Sequence, residues 1–462
     1  MARKRHLLAS ALALAFLTAA APSPVVAQET APAAQVETIA ARQDTVSDFD
    51  KNKVDVTSMR AWRQDFHQHP ETAYEETRTA EKINALLQSW GLETHTGIGK
   101  TGVVGILRSA DATDDSPAIC LRADMDALPV TEANTNIDYV SETPGKAHAC
   151  GHDGHTAMLL GAAKYLAETK NFTGTVYFIF QPAEEGGAGA QAMIDDGLFD
   201  IVKCDGIYGM HAWPGLKAGQ IAVAEGSITA ASDRFSISIT GKGGHAAYPA
   251  TNIDAISLAA DIVAELHKMR DAETPADEGA VLAVTMLHGG EAYNAMPEKV
   301  EMGGTVRTFT SETQDKIEAG ITRVANDIAK KYGATVEVTY TRGYPSVVNT
   351  HDETVNAREA ATAVAGAGNV VTFSRTMAGE DFAYYNNHAP GSYVALGQWN
   401  GEGAKTQLHS PNFNFNDETL ETGASYWIRL VLNELPKLKA ATEAAPAQAP
   451  VQPTPAQPGN DP

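Results

Sequence analysis

Cysteine is scarce in this chain, with three residues among 462. So small and odd a number excludes the dense disulfide framework that holds small secreted domains together. Basic residues are also in short supply. Thirty-five Lys and Arg stand against 57 Asp and Glu, a formal charge of −22. That balance excludes non-specific attraction to nucleic acid or anionic membranes, because their phosphates repel it. The most apolar run, LLASALALAFLTAAA near the start, falls short of the ~20 residues that a spanning helix needs. There is no serine nucleophile elbow and no glycine-rich phosphate loop. Thiol networks, phosphate cradles and serine chemistry therefore drop out before any site is considered.

What remains has the bulk of an ordinary globular protein, 43% hydrophobic, and a length beyond what one core usually organises, so two domains are expected. The N-terminus reads as an export leader over residues 1–27. MARKRH is its basic start, the apolar run follows, and VVA before Gln28 is a small-residue cleavage site. Removing Arg3, Lys4 and Arg5 leaves a mature chain of charge −25, expected to be periplasmic or secreted, off the membrane and away from nucleic acid. Residues 28–53 read as an extension. Residues 440–462, rich in Ala, Pro and Gln, read as a disordered tail.

Between these ends, helical spacing alternates with strands, as in EETRTAEKINALLQSWG, GVVGILRS, AICLRADM, DGHTAMLLGAAKYLAET and GTVYFIFQP. The alternation predicts an α/β sheet of parallel character. The helix at DGHTAM is expected to be capped by Asp153. From about 228 to 340 the order becomes β-α-β-β-α-β, the split motif of ferredoxin-like domains. The expected plan is a discontinuous domain, 54–227 and 341–439, interrupted by an insert over 228–340.

Chemistry-bearing residues follow several strand ends: Asp124 and Asp126 in RADMDALP, Glu184 and Glu185 in PAEEGG, His211 after CDGIYGM, and His409 in LHSPNF. Strand carboxyl ends are where open α/β sheets gather their active groups. The densest stretch is AHACGHDGH, residues 147–155. Cys120 and Cys204 read as buried small hydrophobes, but Cys150 sits in a polar, glycine-flanked loop where packing gives it no reason to be. A dinuclear metal site accounts for this set economically. Cys150 and His152, one glycine apart, can converge on one ion. Glu184 and Glu185 are adjacent, so their side chains diverge, one free to ligate and the other to move a proton. Two rival readings remain open here: Cys150 as a nucleophile with His152 or His155, and a non-catalytic periplasmic metal- or solute-binding protein.

Taken together, FHQHPE, RADMDALP, HACGHDGHTAMLLGAA, FQPAEEGGAGAQAMI, GMHAWP, GKGGHAAYP, AGEDFAYY and LHSPNF resemble the aminoacylase/carboxypeptidase family of dinuclear metallopeptidases. The closer resemblance is to its amidohydrolase branch, which includes hippurate hydrolase and the auxin–amino-acid conjugate hydrolases. It spans residues 57–437. The resemblance implies a mixed-sheet α/β metallopeptidase domain with an inserted ferredoxin-like (βαββαβ) lid, through which such proteins often form dimers or larger homo-oligomers.

It implies two divalent ions (zinc, manganese, cobalt or nickel) held by Cys150, His152, Glu185, His211 and His409. Glu184 is then the general acid/base, and Asp126 orients the site. His245 would stabilise the oxyanion, in related dimers from across the subunit boundary, while Asn294 and Arg307 would bind substrate, the arginine through its carboxylate. The implied substrates are N-acyl or N-aroyl amino acids, or short peptides in a dipeptidase or carboxypeptidase variant. The chain departs from other branches at Asp124-Met125-Asp126, where they carry His-x-Asp, and at Cys150, where they carry a bridging aspartate. The bridging ligand is therefore left open. His67 and His69 are expected to close a helix, and His148 and His155 to hydrogen-bond the loop backbone. Glu380 and Asp381 are expected to start a helix near the site.

Overall fold

A computed structural model describes residues 49–401 and 405–444. The expected leader, most of the 28–53 extension and most of the 440–462 tail lie outside the described residues. Among those described, no helix is long and apolar enough to cross a membrane.

An eight-stranded mixed sheet forms the larger layer. Its order is Glu93–Ile98, Gly102–Arg108, Thr175–Gln181, Ala118–Asp124, Gly206–Lys217, Gly391–Trp399, Ile221–Ala222 and Val370–Val371. The four central strands, from Thr175–Gln181 to Gly391–Trp399, run parallel, while the Gly102–Arg108 strand pairs antiparallel with its neighbours. Ala118–Asp124 and Thr175–Gln181 are buried at every residue, as near-continuous apolar runs require when both faces are covered. On one face the helices Val56–Gln68, His152–Thr169 and Leu420–Ala444 close a core around Leu121, Phe178, Met158 and Trp427. On the other, Ile179, Met193, Phe382 and Tyr385 form a second cluster.

The β-α-β-β-α-β stretch forms a separate four-stranded sheet. Its strands are Ala231–Thr240, Val281–His288, Lys299–Thr308 and Thr335–Tyr344, and its helices are Ala255–Glu273 and Ser311–Tyr332. Counted along the chain, the spatial order is 4-1-3-2, and every neighbouring pair is antiparallel. Phe235, Ile237, Leu266 and Ile321 give it an apolar cluster of its own. The sheet therefore runs from 231 to 344, slightly displaced from the predicted 228–340.

Three further expectations need correction. Cys120 and Cys204 are not independent small hydrophobes but a disulfide, with Cα atoms 5.4 Å apart. Cys120 lies opposite Ile207 across parallel strands, so the turn entering Gly206–Lys217 delivers Cys204 beside it, a pairing set by sheet order. Asp153 does not cap its helix. The helix starts at His152 with Gly151 as N-cap, and Asp153 lies in the first turn, where its carboxylate takes the Gly154 amide at 2.9 Å. Finally, the described structure extends past the expected domain limits of 54 and 439. Phe49 packs on Tyr165 at 5.6 Å, and the last helix continues to Ala444.

Candidate metal centre

The loop before the helix His152–Thr169 turns sharply at Gly151, whose φ of +93° is a left-handed conformation and where a Cβ would meet that of Ala212 at 3.1 Å. This turn aims Cys150 and His152 at the ends of the central strands. Cys150 Sγ lies 3.4 Å from His211 Nε2. His211 Nδ1–H donates to the Ala212 carbonyl at 2.7 Å, which leaves Nε2 as the lone-pair nitrogen. His152 Nδ1–H likewise donates to the Asp126 carbonyl at 2.9 Å. Its Nε2 is buried without a hydrogen-bond partner. Donor atoms of Cys150, His152 and Glu185 all lie within 4.8 Å of one another, as do those of Asp124, His152, His155 and His211.

His409 arrives from the other half of the chain. Its amide donates to the Ala149 carbonyl at 2.8 Å, and its Nε2 stands 3.2 Å from Glu185 Oε1. It has a positive φ of 63° and a side chain 55% exposed, the most open member of the group. All five predicted ligands thus meet at one place. His155 does not offer a free nitrogen. Its Nε2 accepts from the Ala212 amide at 2.8 Å, and its Nδ1–H donates to Asp124 at 2.6 Å.

Glu184 and Glu185 occupy a turn between Ala183 and Ala188, both non-glycine residues with positive φ, 52° and 55°. Such strain persists only where the surroundings impose it. Here they do: Asp126 accepts from both the Glu184 and Glu185 amides, at 3.1 and 3.0 Å, and Glu76 accepts from the Ala183 amide at 2.9 Å. Asp126 thus holds the glutamate turn and His152 at once, by 3.2 Å to Nδ1.

Behind Glu184 lie Glu380 and Asp381, with carboxylate oxygens of all three within 4.8 Å. Sequence reasoning did not identify what tolerates them there, which is Arg122. It is fully buried and donates to Gln181, Asp124, Glu380 and Asp381 at 2.8, 2.7, 3.1 and 3.0 Å. Tyr393 donates to the other oxygen of Glu380. A charged residue within the apolar strand AICLRAD was the signal available in the sequence. Glu380 and Asp381 themselves border a 3-10 turn, Asp381–Asn387, with Glu380 as its cap.

Electrostatics supply the fit test for a cation. Burial, then the carboxylates of Glu380 and Glu185, push Glu184 well above the ordinary range. Burial, then Glu185 and Glu184, push the Cys150 thiol up. Burial takes His211 down to about 3. Burial would lower His152 as well, but the carboxylates of Asp124 and Asp126 outweigh it and hold it near 10. Six buried or half-buried carboxylates thus crowd around one buried arginine, a thiol and an imidazole nitrogen without a hydrogen-bond partner. Divalent cations supply the missing positive charge and take those donors. The residues present fit such ions.

The chain belongs to peptidase family M20/M25/M40. The family model matches residues 120–433. Bacillus subtilis (strain 168) N-acetylcysteine deacetylase is 38% identical over 380 residues, covering 82% of this chain and 97% of that protein. Campylobacter jejuni hippurate hydrolase is 36% identical over 375 residues, covering 81% and 95%. Among solved structures, the Bacillus subtilis YXEP protein, a dinuclear metal-binding peptidase of the M20 family, superposes with a TM-score of 0.73. That match has 36% identity and covers 84% of this chain and 99% of that one. This M20 chain is accordingly a metal-dependent amidohydrolase with the mixed α/β fold of its family.

The other predicted site residues lie on the four-stranded sheet or its connections. His245 is exposed on a short ribbon, Gly244–His245 against Ala295–Met296, and the Ala246 amide donates to the Asn294 carbonyl at 3.0 Å. His245 and Asn294 are therefore neighbours. Arg307 is half-buried on Lys299–Thr308. Among the described residues, no hydrogen bond or ion pair joins these three to the Cys150 cluster. His148 differs from expectation. Instead of bonding the loop backbone, both its ring nitrogens are buried without a partner, and burial lowers it to about 3. His67 is part of the same buried region, and its Nδ1 meets Asp153 at 2.8 Å.

Proposed function

We propose that the protein is an exported amidohydrolase that cleaves N-acyl or N-aroyl amino acids with two divalent ions held by Cys150, His152, Glu185, His211 and His409. The observation that carries this reading is His152, whose Nε2 is buried without a hydrogen-bond partner and whose ring offers a donor atom within 4.8 Å of those of Cys150 and Glu185. When bound, the ions supply a Lewis acid that polarises the amide carbonyl and acidifies water at neutral pH.

The protein's own residues do the rest. Glu184 takes a proton from the attacking water and delivers it to the leaving amine nitrogen, a shuttle that Asp126 steadies by gripping the Glu184 amide. Burial, then Glu380 and Glu185, raise the proton affinity of Glu184, the direction in which a proton-carrying carboxylate is tuned. His245 stabilises the oxyanion. In this chain it is exposed and separate from the cluster, which supports its acting across a homodimer. Asn294 and Arg307 bind the substrate, the arginine through its carboxylate.

The substrate class follows from the chemistry of the relatives, a deacetylase of an acyl amino acid and a hippurate hydrolase. Export is supported by the leader pattern of residues 1–27 and by the Cys120–Cys204 disulfide, a bond that persists in oxidising compartments. The thiol-nucleophile alternative lacks support. A reactive cysteine needs an electropositive setting, whereas burial, and then the carboxylates of Glu185 and Glu184, hold the Cys150 thiol protonated.

The test is a panel of N-acyl amino acids, dipeptides, and matching amides without the free carboxylate, run on metal-loaded, chelated and E184Q protein. Chelation should abolish turnover and readdition of divalent metal restore it. E184Q should keep its metal and lose roughly 10²–10⁴-fold in kcat. Full activity in either the metal-free protein or E184Q would overturn the assignment. Preference for dipeptides over acyl amino acids would instead move the protein to the peptidase side of its family.

A further inference from the structure

The Ala183–Ala190 turn, which carries Glu184, is pinned by side chains from several elements. Asp126 holds the Glu184 and Glu185 amides, Glu76 the Ala183 amide, and Asp381 the Ala190 amide at 2.9 Å, while Tyr74 donates its hydroxyl to the Gly187 carbonyl at 2.6 Å. All of these come from segments packed with the eight-stranded sheet. One further pin does not. Tyr344, the last residue of the strand Thr335–Tyr344 in the four-stranded sheet, donates its hydroxyl to the Glu184 carbonyl at 2.8 Å. The same hydroxyl accepts from the Ala188 amide at 2.9 Å. It closes both ends of the strained turn with one oxygen.

Tyr344 is firmly part of its own sheet. The preceding amide, of Gly343, donates to Asp233 at 3.0 Å, and the same carboxylate takes Gln314 at 2.7 Å and Tyr340 at 2.6 Å. Asp233 thereby ties the base of Tyr344 to the first strand and to the helix Ser311–Tyr332. The Tyr384 ring meets that of Tyr344 edge-on at 5.9 Å. In register, Arg307 pairs with Ser232, and Ser232 pairs on its other side with Tyr344. The three stand in one row across adjacent strands. Cross-strand neighbours lie ~5 Å apart, so Arg307 is about 10 Å from Tyr344 through a hydrogen-bonded sheet.

We infer that Tyr344 is a positioning residue that couples the four-stranded sheet to the catalytic turn, so that a substrate carboxylate held on that sheet aligns Glu184 for proton transfer. The inference rests on the assignment of Glu184 as the proton shuttle and Arg307 as the carboxylate grip. Its physical basis is that a packed, hydrogen-bonded sheet moves as a body, and its one hydrogen-bonded hold on the Glu184 turn, among the described residues, is this hydroxyl. A shift of the sheet must then pull on the Glu184 carbonyl and the Ala188 amide together. Small misplacements of a reacting group are costly, ~10²-fold for about 1 Å.

The experiment compares wild type with Y344F, which removes the hydroxyl and keeps the ring. Y344F should lose roughly 10–100-fold in kcat on N-acyl amino acids while KM stays within about threefold, with bound metal and melting temperature unchanged. Amide hydrogen exchange on the metal-free protein gives a readout independent of turnover. The peptide spanning Ala183–Ala190 should exchange faster in Y344F, because the Ala188 amide loses its acceptor. On a matched amide lacking the carboxylate, wild-type kcat should already be low and Y344F should lower it little further.

E184Q in the same assays separates the two claims. Activity in E184Q overturns the proton-shuttle assignment itself. An inactive E184Q beside a Y344F enzyme of wild-type kcat or unchanged exchange overturns the coupling alone. A Y344F protein that loses metal and melting temperature together also overturns it, since the tyrosine would then be a structural brace. Equal losses in Y344F with and without the substrate carboxylate would remove the link to substrate grip.

Discussion

Replacing Cys120 and Cys204 together with alanine should destabilise the protein by several kcal/mol and loosen the candidate metal centre. The bond closes a loop of 84 residues. Chain entropy alone assigns a loop that long ~4.6 kcal/mol at 25 °C, with removal of native disulfides costing about 2–5 kcal/mol in practice. That is a large share of a folding free energy of ~5–15 kcal/mol. The position of the loop matters as much as its length. Asp126, Cys150, His152, Glu184 and Glu185 lie inside it, and only His211 and His409 of the predicted ligands lie outside. Opening the loop in the unfolded state therefore frees most of the donor set at once. The assay is denaturant unfolding of wild type and the double alanine variant, with metal content measured after dialysis. Thiol labelling of unreduced, unfolded wild type should mark Cys150 alone, the single free cysteine. Labelling of all three, or an unfolding free energy within about 0.5 kcal/mol of wild type, would refute the reasoning.

Other outcomes follow from particular residues. Arg122→Met should cost about 3–5 kcal/mol, because it leaves Asp124, Glu380 and Asp381 without their buried cation; thermal melting against wild type measures it. Glu434 is buried and its pKa rises from 4.5 to about 8, so the folded state holds a proton that the unfolded state releases above pH 4.5. Its contribution is therefore fully present below pH 4.5 and lost as pH rises to about 8, at ~1.4 kcal/mol per pH unit. E434Q should match wild type near pH 4.5 and exceed it in melting temperature at pH 8; parallel melting curves across that window would contradict the shift. His152→Ala should empty the donor set of its central imidazole, and metal retained at wild-type stoichiometry would exclude His152 as a ligand. Asp126→Asn drops the charge between His152 and the Glu184 turn and replaces one of the two oxygens that accept the Glu184 and Glu185 amides with a donor. It should lower kcat by about tenfold or more, and unchanged kinetics would show that neither the charge of Asp126 nor its double grip on the turn serves the reaction.

Much of the chemistry was legible along the chain because catalytic motifs are local. Cys150 and His152 are separated by a single glycine, Glu184 and Glu185 are adjacent, and the burial of Thr175–Gln181 followed from its near-continuous apolar run. The split β-α-β-β-α-β order was equally readable, since helical and strand periodicities differ within short windows. Asp153 as a helix cap was a misjudged boundary, because a glycine with positive φ took the cap position first. Arg122 could have been noticed as a cation in an apolar strand, although three of its four partners, Gln181, Glu380 and Asp381, come from two distant segments.

The sequence by itself determined the elements, the donor types and the family, because each depends on residue identity over a few positions. Only the tertiary structure decided which distant residues meet. Parallel strand order set Cys204 beside Cys120, the return of the second half brought His409 to Glu185, and the end of the four-stranded sheet placed Tyr344 on the Glu184 turn. Those contacts join residues separated by 84 to 224 positions. No periodicity spans such intervals, and what selects them is the packing of buried faces against one another.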